Sequence, residues 1–201
     1  MTSAPVRELL SGLASDYAAV RFASAKALCH LSEEEPSKIY RHFDRIAGLL
    51  HHPNQILRWN GMRILANLAP VDRAGRLDGI LADYLAPIEG PNMIGAAEAV
   101  AGAAFIAIAK PYLAETMVPA ILRVESGEYA RPECRNVAIG HALRACKTLA
   151  PVLSDTSALR AFAERQLDNP RPATRRKAEQ LVAFLLRPRA HVARAGRHGV
   201  Q

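Results

Sequence analysis

The stretch NQILRWNGMRILANLA, residues 54–69, contains the only tryptophan of the chain and repeats its apolar side chains at helical spacing. The apolar positions are Leu57, Gly61, Ile64, Leu65 and Leu68. Steps of three and four residues put them on one face of an α-helix. No segment of the 201-residue chain alternates apolar and polar side chains as a β-strand does, so we expect an all-α protein.

The same pattern occurs once before, in YAAVRFASAKALCHLS, residues 17–32. At an offset of 37 residues, Arg21 matches Arg58 and Phe22 matches Trp59. Leucines of the apolar face align as well. Because the two stretches agree in both the apolar face and the arginine-aromatic pair, they are predicted to be equivalent helices of a repeat.

Weaker copies follow at residues 91–109, around Arg135 and around Arg175. Proline, glycine and asparagine between the copies mark helix ends and divide the chain into about ten helices. A period of about 37 to 40 residues, with one helix pair per unit, is the signature of an α-solenoid. We therefore expect about five helix pairs stacked along the chain.

Two stretches, SDYAAVRFASAKALCHL and NPRPATRRKAEQLVAFL, resemble the second helices of HEAT repeats, a class of armadillo-like repeat. Each has a turn with Asp or Asn-Pro, then Val-Arg or a basic equivalent, then small residues and leucines. The resemblance covers residues 6–186 and implies a single domain, a right-handed α-solenoid of about five helix pairs. Residues 1–5 and 187–201 are then tails. The third copy departs from the pattern, because Gly95 and Ala96 stand where an arginine is expected.

The resemblance implies a binding function, since that family consists mainly of scaffolds and binding proteins. In the family, second helices line the concave side of the superhelix. At about 100° per residue, Trp59 points away from the core face of its helix and shares a stripe with Arg63 and Asn67. This stripe is therefore predicted to form the floor of a groove.

The predicted partner-binding residues on this stripe are Phe22, Lys26, His30, Trp59, Arg63, Asn67, Asn136, Arg144, Arg176 and Gln180. The stripe also passes through Ala97, Ala101, Phe105, Gly140 and Phe184. Small residues, namely Gly95, Ala97, Ala101 and Gly102, are expected to let a partner helix approach the floor closely.

Trp59 has two interpretations. In one, Trp59 and Phe22 anchor a partner, because buried aromatic residues and arginines dominate interface energies. In the other, Trp59 packs between neighbouring repeats, because large aromatic side chains are usually well buried. Arg21 and Arg58 are predicted to be structural, bonding to carboxylates or carbonyls of the turns between repeats.

The excess of positive over negative charge is confined to the C-terminal end. The formal net charge is +7, but residues 1–170 hold 18 basic and 18 acidic residues. Residues 187–201 carry four arginines without apolar periodicity and are predicted to be disordered. This distribution keeps a second function open, binding of a nucleic-acid backbone through the basic C-terminal repeat and tail.

Catalytic motifs are scarce. Cys134 lies at a predicted helix start beside two arginines, a setting typical of reactive thiols, but His141 is two helical turns away, about 10 Å. A nucleophile and its base must lie within hydrogen-bond reach. The adjacent His51 and His52 lack a third ligand at metal spacing.

Enzymes that cradle DNA in a HEAT-like fold, such as alkylpurine glycosylases, place an acidic residue among aromatic side chains. Trp59 and Phe22 have no carboxylate on their stripe. The sequence also lacks a glycine-rich phosphate loop, HExxH and GxSxG. We therefore expect a protein that is not an enzyme and that uses neither a cofactor nor a metal.

The longest apolar run, the N-terminal residues and the cysteines indicate a cellular location. The apolar run at residues 93–109 is interrupted by Glu98 and is shorter than the roughly 20 residues that a membrane span needs. The N-terminus lacks the pattern of a signal peptide, and the three cysteines suggest no disulfide framework. We expect a cytoplasmic protein, a monomer or weak homodimer, that binds a protein or peptide and no membrane.

Overall fold

The computed structural model describes residues 5–187, and the described part contains α-helices and short 3-10 segments. The α-helices are α1 (Val6–Gly12), α2 (Ala18–Glu34), α3 (Pro36–Tyr40), α4 (Phe43–Ala47), α5 (Gln55–Leu68), α6 (Leu81–Leu85), α7 (Met93–Ala109), α8 (Ala114–Leu122), α9 (Pro132–Leu149), α10 (Ser157–Arg165) and α11 (Pro172–Leu185). The 3-10 segments are Gly48–His51, Ala69–Val71, Asp78–Ile80, Ala86–Glu89, Pro111–Leu113, Arg123–Glu125 and Ala150–Val152. The predicted tails lie almost wholly outside the described residues.

Five long helices, α2, α5, α7, α9 and α11, stack in chain order, each against the next. Shorter helices pack beside them: α1 on α2, α3 and α4 on α5, α6 on α7, α8 on α7 and α9, and α10 on α11. Residues 5–187 thus form five helix pairs in one row. The all-α solenoid predicted from the repeat period is confirmed.

Local sequence explains where the long helices begin. The Asn54 side chain accepts hydrogen bonds from the backbone N–H groups of Ile56 and Leu57, which caps α5. Asn92 accepts from the Gly95 N–H and caps α7. Helices α9 and α11 instead begin with a proline at the first position, where the missing N–H costs nothing.

Three arginines hold the turns that join the two helices of a repeat. Each donates from its Nη1 atom to the carbonyl oxygen six residues earlier: Arg21 to Ser15 at 2.6 Å, Arg58 to His52 at 2.9 Å and Arg175 to Asn169 at 2.8 Å. The structural role and the carbonyl partners predicted for Arg21 and Arg58 are therefore confirmed, but the turns lie within the repeats and not between them. In the third repeat Gly95 and Ala96 stand where this arginine is expected, and neither has a side chain that could donate.

A tyrosine crosses the core between the second and third repeats. Tyr84 on α6 is fully buried, and its hydroxyl donates to the Met62 carbonyl oxygen at 3.0 Å. Gly102 on α7 leaves room for that ring, because a Cβ atom there would lie 1.8 Å from the hydroxyl oxygen. The glycine inside the alanine-rich helix is thus required by a close approach between elements.

Candidate binding groove

A depression of about 440 Å³ crosses three consecutive long helices, α5, α7 and α9. Its lining consists of Arg63, Ala97, Glu98, Ala101, Ala104, Phe105, Ile108, His141, Arg144, Ala145 and Thr148. We name this depression the central groove. Since second helices of successive repeats form it, it runs along the stack rather than into one repeat.

The floor of the central groove is apolar and comes from α7. Alanines at positions 97, 101 and 104 keep it shallow, while Phe105 and Ile108 rise from it. Phe105 is 45% exposed and Ile108 is 38% exposed. Two large apolar side chains side by side in a depression, open to solvent, are typical of a surface that binds a partner.

An ion pair closes one side of the groove. The Arg63 Nη2 atom lies 2.6 Å from the Glu98 Oε1 atom, which links α5 to α7. The hydrogen bond to Glu98 raises the pKa of Arg63, against an opposing effect of burial. The charges of Arg63 and Glu98 are thus balanced within the protein.

The opposite side, on α9, carries positive charge that no carboxylate of residues 5–187 pairs with. The Arg144 Nη2 atom lies 3.1 Å from the His141 Nδ1 atom. A guanidinium can only donate, so Nδ1 accepts and the imidazole is neutral in this arrangement. Burial lowers the pKa of His141, and the charges of Arg144, Lys177 and Arg171 lower it further.

Five positions of the stripe predicted from the sequence line this one groove, namely Arg63, Ala97, Ala101, Phe105 and Arg144. They come from three repeats, which the stack brings together. The other stripe residues lie elsewhere, in three groups.

Trp59 lies outside the central groove. It is half-buried in a second depression of about 470 Å³, formed where the start of α5 meets the start of α7. A Cβ atom on Gly95 would lie 3.5 Å from the Trp59 Nε1 atom, so the indole packs beside the next repeat. This geometry favours the packing interpretation of Trp59, although the ring also lines an open cavity.

Two asparagines of the stripe form hydrogen bonds between repeats. The Asn67 Nδ2 atom donates to Ser32 Oγ at 2.9 Å, and Asn136 Oδ1 accepts from Asn169 Nδ2 at 3.2 Å. Gly140 is buried beneath the neighbouring helix α11. These positions serve the stacking of repeats.

The stripe residues at the two ends of the stack stay apart from the groove. Phe22 is half-buried against the core of the first repeat, and Phe184 against that of the last. The side chains of Lys26, His30, Arg176 and Gln180 are exposed. His30 lies 3.4 Å from Glu34 on its own helix.

Gly95 and Gly102 do not lie on the groove floor, contrary to expectation. Gly102 is turned towards Tyr84, and Gly95 towards Trp59 and Pro87, so both are buried in contacts between elements. The small residues that do form the floor are alanines, and the two predicted glycines are not among them. A partner helix therefore meets methyl groups there.

Sequence reasoning missed Ile108, Glu98 and Lys177. Ile108 follows Phe105 by three residues, a helical spacing that was available as a signal. Glu98 is the lone charge in the apolar run and matches Arg63 at a separation of 35 residues, close to the repeat period. Lys177 gave no signal, because its place beside Gly140 depends on the packing of α11 against α9.

Reactive chemistry is sparse in the described part of the chain. Burial raises the pKa of both Cys29 and Cys146 to about 12, which keeps these thiols protonated and unreactive. Within residues 5–187, no group of three or more His, Cys, Asp or Glu side chains is placed to hold a metal ion. No helix among these residues has the length and apolar character needed to cross a membrane.

No protein-family model matches the sequence, and no curated protein matches it either. Solved structures are similar in fold. An engineered protein from a structural genomics consortium is 15% identical, with a TM-score of 0.58, over 90% of this chain and 78% of its own. A designed armadillo repeat protein is 15% identical, with a TM-score of 0.56, over 90% of this chain and 82% of its own. The chain thus has the fold of the HEAT- and armadillo-like repeat solenoids.

Proposed function

We propose that this protein is a non-enzymatic binding scaffold that holds a protein or peptide segment in the central groove. The observation that carries the proposal is the exposure of Phe105 and Ile108 on the groove floor. Apolar surface in contact with water is unfavourable by about 25 cal/mol per Å², and a bound segment would remove that contact.

The fold supports the same proposal. Armadillo-like repeat solenoids are typical of protein-binding scaffolds. Their long axis offers a continuous surface made by successive second helices, which suits an extended or helical segment. The central groove spans three such helices, so its occupant would contact at least three repeats.

A test is selection of short peptides from a random display library on the full chain, followed by binding measurements with two variants. The first variant, Phe105→Ser with Ile108→Ser, makes the floor polar. The second, Val152→Ser, changes an apolar side chain that is similarly exposed, 43%, but lies outside the groove. We expect selected peptides to bind the wild type and the Val152 variant and to lose affinity for the floor variant.

Two results would contradict the proposal. One is that no peptide is enriched over selection on an unrelated protein. The other is that the enriched peptides bind the floor variant as tightly as the wild type. The same binding measurement with a single-stranded oligonucleotide tests the nucleic-acid alternative. If nucleic acid binds, its affinity should fall steeply as the salt concentration rises.

We further propose that the scaffold acts in the cytoplasm as a monomer or weak homodimer. All three cysteines are free, as is usual for proteins kept in a reducing compartment. Light scattering over a range of concentrations tests the oligomeric state, and a constant dimer mass would contradict it.

A further inference from the structure

Two cations, Arg144 in the central groove and Lys177 on the neighbouring helix α11, have no anionic partner among the described residues. Arg144 on α9 lines the groove, and its guanidinium donates to the neutral ring of His141. The Lys177 Nζ atom, from α11, lies 3.3 Å from where a Cβ atom on Gly140 would be. Among residues 5–187, neither Arg144 nor Lys177 forms an ion pair with a carboxylate.

Other basic side chains of the described residues do have an anionic partner in another repeat. Such pairs are Arg63 with Glu98 at 2.6 Å, Arg165 with Glu125 at 2.6 Å and Arg171 with Glu133 at 2.9 Å. Arg144 and Lys177 differ from these three arginines, because no carboxylate of the described residues pairs with them.

The cations also act on one another. Burial lowers the pKa of Lys177, and the charges of Arg144 and Arg171 lower it further. The same neighbours lower the pKa of His141. Repulsion among positive groups that the fold holds together would be relieved by an external anion.

The positively charged side of the groove adjoins the apolar floor. His141 and Arg144 line the same depression as Phe105 and Ile108. A ligand that fills it must therefore offer an apolar group on one side and a negative charge on the other. A peptide segment with an apolar residue next to aspartate or glutamate has this chemistry.

The charges that line the groove favour a peptide over a nucleic acid. Glu98 also lines the groove, so a phosphodiester chain running along it would meet a carboxylate. The remaining cation on that side, Arg63, is already paired with Glu98. The positive charge available to a ligand is thus confined to the α9 and α11 side, which suits one or two carboxylates rather than a continuous row of phosphates.

The chain's own C-terminus is a poor occupant. Residues 187–201 contain four arginines and no acidic residue, so they repel Arg144 and Lys177. Charge complementarity requires a ligand of the opposite sign.

We propose that the central groove binds an acidic peptide segment, whose apolar side chain packs on Phe105 and Ile108 and whose carboxylates pair with Arg144 and Lys177. The inference rests on the proposed function and adds the chemistry of the partner. Guanidinium and ammonium groups bind carboxylates by charge-assisted hydrogen bonds, so the acidic residues set both affinity and direction of the segment.

The experiment uses the display library described above and the full chain. The variant Arg144→Gln with Lys177→Gln removes the two cations while keeping side chains of similar length. The matched control, Arg7→Gln with Arg73→Gln, removes two exposed cations outside the groove. We expect enriched peptides to pair an apolar residue with Asp or Glu, and their affinity to fall about tenfold or more in the first variant only.

Other outcomes separate the two proposals. Peptides without acidic residues, or acidic peptides that bind the Arg144 and Lys177 variant unchanged, overturn the inference about charge. If those same peptides still lose binding when Phe105 and Ile108 become serine, the scaffold function stands. Tight binding of an oligonucleotide that the Gln variant abolishes, or self-association that the serine variant abolishes, overturns the inference in favour of a nucleic acid or a second copy.

Discussion

The Lys110 Nζ atom lies 3.0 Å from the Asp72 Oδ2 atom, in an ion pair whose side chains are 8% and 0% exposed. Nζ also donates to the Asp72 carbonyl oxygen at 2.7 Å. The other carboxylate oxygen, Oδ1, accepts from the Tyr40 hydroxyl at 2.6 Å. One buried aspartate therefore ties a helix of the second repeat to the end of α7.

Asp72 stays ionised in this setting. Burial by itself would raise the pKa of Asp72, but hydrogen bonds from Tyr40, the Leu77 N–H and Lys110 outweigh it and hold that pKa below its ordinary value. A carboxyl whose pKa is lowered on folding adds stability above its unfolded pKa and loses that contribution as the pH falls through its folded pKa. The pair thus stabilises the protein at neutral pH.

Asp72→Asn should destabilise the protein by about 3–5 kcal/mol, because it leaves Lys110 buried without its counter-charge. Urea unfolding followed by circular dichroism measures the free energy of unfolding. The control is Asp168→Asn, since Asp168 is exposed and its side chain has no partner in the described part of the chain. If Asp72→Asn lowers the free energy of unfolding no more than Asp168→Asn does, the ion pair of Asp72 with Lys110 does not stabilise the protein.

Gly102→Ala should lower the free energy of unfolding by about 1–3 kcal/mol. The added methyl group meets the buried Tyr84 hydroxyl and must displace it from the Met62 carbonyl oxygen. Gly79→Ala is the matched control, since a Cβ atom there would have no neighbour within 4 Å. Thermal unfolding of the two variants compares them directly. Equal melting temperatures would show that the Tyr84 contact tolerates the methyl group.

Arg58→Met should lower the free energy of unfolding by about 1–2 kcal/mol, because the His52 carbonyl loses a charged donor while the apolar stem is kept. Arg73→Met serves as the control, because the Arg73 side chain is exposed and forms no hydrogen bond within residues 5–187. Chemical denaturation measures the free energy of unfolding of both variants. Equal values would show that the Arg58 hydrogen bond to the turn does not stabilise the protein.

His141 should make stability depend on pH below neutrality. Its folded pKa is lower than the ordinary 6.5, so the unfolded chain takes up a proton first as the pH falls. The folded state therefore loses stability between pH 6.5 and the folded pKa, and His141→Gln should reduce that loss. The charged groups that face the ring are Arg144 on its own helix, Lys177 on α11 and Arg171 before it.

The check is a series of urea titrations across this pH range. His30→Gln is the comparison, because that side chain is exposed on α2. His42 contributes in the same direction, since burial and nearby arginines also lower its pKa, so part of the pH dependence should persist in the His141 variant. An unchanged profile in His141→Gln would refute the assignment.

Emission from Trp59 should report on packing and not on the central groove. The ring is half-buried beside Gly95, so acrylamide should quench it less in the native protein than in urea. Peptides that bind the central groove should leave its emission unchanged, because Trp59 does not line that groove. A large shift on peptide binding would place the occupant over the start of α5 instead.

Sequence periodicity alone determined the helices, the five-pair repeat and the role of the turn arginines. These features depend on local rules: apolar residues three and four apart define a helix face, and an arginine six residues after a carbonyl reaches back to it. Such relations hold within one repeat, so a single sequence contains them.

Only the tertiary structure decided which stripe residues share a groove. Trp59 and Arg63 are one helical turn apart on α5, yet one packs beside Gly95 and the other pairs with Glu98 in the central groove. Which of these neighbours each residue meets depends on how α7 is rotated and shifted against α5. That placement results from many core contacts between repeats, such as Tyr84 against Gly102, and local spacing does not encode it.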